Sequence, residues 1–314
     1  MQHYRDALPQ LADRVLVTDG GLETTLMFLD GFDLPQFAAF PLLDTVEGRA
    51  ALRRYYDAYG EAARRSGAGC LLDTPTFRAS PDWAAKVGYD QPQLRRIIGD
   101  SVALLREVRA AWQTPDLPIV INGAIGPRGD GYSATETMES DEAEAFHGAQ
   151  VQSFAEDGAD LITALTMTHV GEAVGIARAA AKAGIPAVIS FTVETDGRLP
   201  NGTLLSDAIL ATDAATGRSP AHYMVNCAHP THIAPALGMA GPWIYRLGGI
   251  RANPSPKSHA ELNESTTLEE GDPDELAALL SAMRRQHRHF TVMGGCCGSD
   301  GRHAEKIGFA CLAL

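Results

Sequence analysis

The chain has little of what export, membrane insertion or nucleic-acid binding would require. Five cysteines in 314 residues are too few and too irregularly spaced for a disulfide scaffold, and clustered thiols in a reducing compartment more often bind metal or act in catalysis. No basic region followed by an apolar stretch opens the sequence, and nowhere do about 18 consecutive apolar residues run without a polar break. The expectation is a cytoplasmic protein with no membrane partner. Clustered Lys and Arg are missing as well. With 26 of them against 39 Asp and Glu, a formal net charge of −13, there is no basic face for a phosphate backbone, and a nucleic-acid partner is not expected. No internal repeat, low-complexity tract or linker divides the sequence, so residues 1–314 read as a single domain. An assembly of identical copies is compatible with it.

What the sequence does have is eight apolar runs, at 14–21, 69–77, 118–126, 159–167, 186–193, 221–229, 243–253 and 290–298. Their hydrophobicity is continuous rather than alternating, as strands covered on both faces require. Amphipathic, Ala- and Arg-rich segments lie between them at 48–66, 92–112, 141–157, 171–183 and 274–288. Several stop at a glycine just before the next run, at Gly67, Gly158 and Gly184, where the left-handed conformation can end a helix. Eight parallel strands with helical punctuation predict an α/β fold, the (β/α)8 TIM barrel. A doubly wound open sheet is the alternative, with fewer strands and a reversal of order. The polar, proline-bearing stretch 253–274 reads as a long loop on the rim.

In such barrels chemistry sits where the strands end. Cys227 closes the sixth run, and Cys296 and Cys297 lie in Gly294-Gly295-Cys296-Cys297-Gly298 at the end of the eighth. Three thiolates and one open position describe a catalytic zinc site. The glycines make the departure from a regular pleat inexpensive, which adjacent residues need if both are to face one ion. Taken alone, the glycine-rich pair also reads as a tight turn with two buried thiols, and Cys227 as a small core residue. Cys70 and Cys311, in apolar stretches, read as packing.

The ordered set of strand ends resembles the zinc-dependent homocysteine S-methyltransferases: Asp19-Gly20-Gly21, Thr76-Phe77-Arg78-Ala79-Ser80, Gly123-Ala124-Ile125-Gly126-Pro127, Val225-Asn226-Cys227 and the Cys296-Cys297 segment. The resemblance implies that Cys227, Cys296 and Cys297 hold Zn2+, that Asp19 and Gly20 lie at the substrate, and that Thr76 and Asn226 support the rim. It implies a small-molecule thiol acceptor, homocysteine or a relative, and a methyl donor. His303 reads either as a residue behind the cysteine pair or as a solvent-facing helix histidine, and His229 and His232 rank below the three thiols as ligands.

Two departures stand out. Where that family carries a Glu-Thr pair at the end of strand four, this chain reads Ala164-Leu165-Thr166-Met167, and after strand seven Asn253-Pro254-Ser255-Pro256-Lys257 replaces Pro-Asn-Ser-Gly-Glu. The acid that would face the substrate amine is absent, and Glu194 at the end of strand five is the candidate replacement. With no room expected after the barrel for a cobalamin-binding domain, the expected donor is a small onium: S-methylmethionine first, betaine or another onium second, a methylated corrinoid protein third. Phe77 and Trp243 are candidate aromatic faces for such a cation. The rivals are a zinc hydrolase or aldolase on the same barrel, which would want His and carboxylate ligands, and a non-catalytic zinc or thiol-sensing protein.

Overall fold

Eight parallel strands close into a barrel in the computed structural model, which describes residues 4–133 and 137–314. They are β1 (Leu16–Thr18), β2 (Gly69–Asp73), β3 (Ile119–Ile125), β4 (Leu161–Met167), β5 (Ala187–Phe191), β6 (His222–Ala228), β7 (Leu247–Ala252) and β8 (Val292–Gly295). Sequential strands are neighbours, and β1 pairs with β8 through Leu16↔Val292. Every strand residue is buried, which is why the runs are apolar on both faces.

All eight predicted runs contain a strand, each shorter than the run, because the flanking residues turn onto the rims. The run 243–253 is cut most: Pro242–Arg246 is a 3-10 turn, and Trp243 is packed in the core. The five predicted helical segments appear as Val46–Ser66, Gln91–Trp112, Ser140–Asp157, Val170–Ala183 and Pro273–Gln286. Gly67, Gly158 and Gly184 follow three of them with φ of +78°, +78° and +66°. The helices Leu205–Thr216, Pro230–Leu237 and Gly301–Leu312 complete the outer ring. They left a weak trace in the sequence: the second contains Pro235, and the third carries Gly301 and Gly308, both poor helix residues.

The barrel interior is layered. Leu16, Leu71, Val120, Leu161, Val188, Met224 and Val292 fill the lower part, and Tyr4 and Leu8 close it from below. β7 contributes no side chain to this layer, since a Cβ on Gly249 would lie 2.7 Å from that of Val292. A second cluster joins the outer strand faces to the helices, and Cys70 and Cys311 are free, fully buried members of it. Above the apolar layer the interior becomes polar. Asn122 Nδ2 donates to Asp73 Oδ1 at 2.6 Å, Thr163 Oγ1 to Asn122 Oδ1 at 2.9 Å, and Ser190 Oγ to Asn226 Oδ1 at 2.6 Å. This polar band is the floor of the site. Among the described residues no helix is long and apolar enough to cross a membrane.

Candidate active site

A bulge in β6 aims Cys227. Asn226 pairs with Arg251 and Ala228 with Ala252, so Cys227 falls out of register, and its φ is +56°, uncommon for a residue with a side chain. Its carbonyl accepts from Asn253 Nδ2 at 3.0 Å and from His259 Nε2 at 2.5 Å. A second bulge, in β4, leaves Thr166 at φ +58°. Asn226 ties the two together: Oδ1 accepts from Thr166 N at 2.9 Å, and Nδ2 donates to Thr166 Oγ1 at 2.8 Å.

β8 ends at Gly295, so Cys296 and Cys297 occupy the turn before the helix Gly301–Leu312. Gly21 is where the loop after β1 meets this turn. A Cβ there would come within 3.0 Å of both the Cys296 carbonyl oxygen and Cys297 Cα, and the Gly21 N–H donates to Ser299 O at 3.1 Å. Gly298, at φ +84°, turns the chain away in a conformation that favours glycine.

The three sulfurs thus lie within 4.8 Å of one another. Those of Cys227 and Cys296 are joined as a disulfide, and Cys297 is free. Once reduced, the set offers three soft donors on neighbouring backbones. A tetrahedral ion with Zn–S bonds of about 2.3 Å would hold its sulfurs roughly 3.8 Å apart, a spacing this cluster can reach. Burial, with Glu23 adding to it, pushes the Cys297 thiol up to about 11, so at neutral pH it keeps its proton until a cation displaces it. His229 lies outside the group: its Nδ1 meets Thr231 Oγ1 at 2.8 Å, at the start of Pro230–Leu237.

A cavity of about 420 Å3 opens over the sulfurs, lined by Asp19, Gly20, Asn226 and all three cysteines. Its floor holds a buried charge cluster. Arg251 Nη2 donates to Asp19 Oδ1 and to the Asp19 carbonyl, each at 3.0 Å, while Nη1 pairs with Asp73 Oδ2. The Asp19 carboxyl sits well above the ordinary range, because burial and the Asp73 charge outweigh Arg251. Glu23, also on the wall, is pushed up to about 7 by burial. Phe28, Phe37, Phe77 and Tyr132 give the walls an aromatic character, and Leu165 stands where an acid was sought. The loop at 253–274 sits on the rim as expected, with one helical turn, His259–Asn263, and supplies Asn253, Ser255, Leu262 and Glu269 to the wall.

Other residues singled out in the sequence fall away from the cavity. Thr76 does not line the cavity; it is fully buried, with its hydroxyl 2.6 Å from that of Thr74, which does. Glu194 does not line it either, because its carboxylate turns to His259 Nδ1, 3.0 Å away. His303 is fully buried rather than solvent-facing; it caps its own helix through Asp300 and bonds the Glu270 carbonyl at 3.0 Å. Trp243 is core and offers no aromatic face to the cavity, whereas Phe77 does. Sequence reasoning passed over Arg251, Asp73, Glu23, Tyr132 and His259. An arginine inside an otherwise apolar strand was the one available signal, since a buried cation needs a buried anion.

A model of the homocysteine S-methyltransferase family matches residues 16–311. The homocysteine S-methyltransferase of Escherichia coli (strain K12) is 31% identical over 160 residues, a match covering 46% of this chain and 50% of that protein. In that match the chain therefore spans about half of the relative's length. Homocysteine S-methyltransferase YbgG of Bacillus subtilis (strain 168) is 25% identical over 327 residues, covering 98% of this chain and 96% of that protein. Among solved structures, the Escherichia coli homocysteine methyltransferase MmuM in its oxidized form superposes with a TM-score of 0.76 at 23% identity, over 97% of this chain and 98% of that one. Its metallated form gives 0.73, over 96% and 98%. The barrel is the same fold.

Proposed function

Because the chain belongs to the homocysteine S-methyltransferase family, we propose that it moves a methyl group from a small onium donor, S-methylmethionine first, to the sulfur of homocysteine or a related thiol. In this reading Cys227, Cys296 and Cys297 hold Zn2+. The observation that carries it is the convergence of three sulfurs within 4.8 Å in the lining of one cavity. Among the described residues that group includes no histidine or carboxylate, the ligands a zinc hydrolase or aldolase would want. The metallated form of the Escherichia coli enzyme supports a metal here as well.

Zn2+, when bound, supplies a thiolate at neutral pH, where a free thiol of pKa about 8.5 is mostly protonated. The acceptor sulfur then forms its bond to the donor methyl carbon as the bond from that carbon to the onium centre breaks. The electron pair leaves with the donor, which departs as a neutral thioether or amine. The chain's own contribution is alignment and charge. Phe77 and Tyr132 face the cationic donor, and the polar floor offers hydrogen-bonding groups that hold the acceptor in line with it. Glu23 takes the part of the acid missing at Leu165 and pairs with the acceptor's ammonium group. Glu23→Gln is accordingly expected to raise KM for homocysteine about 10-fold or more with a smaller change in kcat, measured by steady-state methionine formation. An unchanged KM rejects the assignment.

The function is tested with reduced, zinc-loaded protein offered a matrix of thiols and onium donors, with products read by mass spectrometry. Methionine from homocysteine and S-methylmethionine is the expected product. No methylated thiol from any pair would reject the reading.

A further inference from the structure

We infer that His259 is a positioning residue for the metal centre: it fixes the carbonyl of Cys227 from the rim loop, and Glu194 fixes His259. The inference rests on the reading of Cys227 as a ligand.

Cys227 needs such a tether. It lies in a bulge, out of register with β7, in a left-handed conformation at φ +56° that costs energy for a residue with a side chain. The direction of its Cα–Cβ bond, and so of its sulfur, depends on how the peptide after it is held. His259 Nε2 bonds that carbonyl at 2.5 Å and Asn253 Nδ2 at 3.0 Å. The ring is held in turn on its other edge by Glu194 Oε1, 3.0 Å from Nδ1, and on its face by Tyr132, stacked at 4.2 Å between centroids and 25° between planes. The Tyr132 hydroxyl reaches to 3.9 Å from Cys297 Sγ, so one stack of two rings touches both cysteine-bearing segments. His259 is 6% exposed and opens a one-turn helix whose start is fixed by a Ser258–Glu261 capping box. A carboxylate–histidine pair behind a ligand orients it and tunes its hold on the ion.

His259→Ala should bind zinc about 10- to 100-fold more weakly, measured by competition with a chromophoric chelator on reduced protein. Its cobalt(II) complex should show displaced ligand-field bands. Glu194→Ala should fall between it and the wild type. His259→Gln, whose amide nitrogen reaches the place of Nε2, should recover most of the affinity. That rescue separates the hydrogen bond from mere filling of space. If His259→Ala does not fold, Glu194→Ala on the more exposed side of the pair carries the test. Affinities within about twofold of wild type for both alanine variants overturn the inference, as does an equal loss in His259→Gln and His259→Ala. Wild-type protein that takes up no zinc overturns the ligand reading and this inference with it. Methyl transfer does not enter the readout, so a wrong substrate assignment leaves this result distinct.

Discussion

Cys227→Ser, Cys296→Ser and Cys297→Ser should each lose tight zinc binding and lower methyl transfer by more than about 100-fold, while the barrel stays folded. The floor on that loss comes from comparison: removing a group that only supports a ligand typically costs 10- to 100-fold, and here the donor atom itself is exchanged for a harder, more basic one. Folding should survive because the sulfurs sit above the apolar layer of Leu16, Leu71, Val120 and their neighbours, and Cys297 lies in a turn outside any strand. Reduced wild-type protein should also release protons on taking up zinc, since burial raises the Cys297 thiol to about 11 and that site must deprotonate to ligate. Calorimetry in buffers of different ionisation enthalpy reads the number. Full zinc retention in any of the three variants removes that residue from the ligand set.

The second large effect is on stability. Arg251→Met should destabilise the fold by about 3–5 kcal/mol, because it strands two carboxylates, Asp19 and Asp73, that are joined to Arg251 in a site only 4% exposed at the arginine. The pH dependence should change with it. Asp19 already sits above its ordinary value of 3.8, through burial and then Asp73, and Arg251 is the charge that opposes them. Without Arg251 the folded-state value rises further. A carboxyl whose folded pKa exceeds its unfolded one takes up its proton preferentially in the fold, so the variant should regain stability as pH falls from 8 towards 5. Adding Asp73→Asn to Arg251→Met should recover part of the loss by removing one buried charge. Urea midpoints across that pH range test all three statements. A variant as stable as wild type at pH 8 contradicts them.

The fold was legible because parallel strands covered on both faces must be apolar throughout, and the eight runs and the glycine stops Gly67, Gly158 and Gly184 follow from that. The convergence of the cysteines was legible for a different reason: each lies at the end of an apolar run, and the strand ends of a barrel share one rim. What remained hidden depends on contacts distant in sequence. Arg251 meets Asp19 and Asp73 across 232 and 178 residues, and no local pattern announces a partner so far away. The bulge at Cys227 was hidden as well, because no glycine marks it; side chains from Asn253 and His259 stabilise what glycine would otherwise permit. Glu194 was sought at the acceptor because it follows closely on β5, the strand next to that of Leu165. Its carboxylate is instead committed to His259, and only the folded rim loop could reveal that.

X-ray absorption at the zinc edge, on reduced protein loaded with one equivalent of zinc, tests the central claim most directly. Three sulfurs at about 2.3 Å with one lighter atom should be seen, and homocysteine should replace the lighter atom with a fourth sulfur. A first shell with fewer than three protein sulfurs, or one that homocysteine leaves unchanged, would contradict the account.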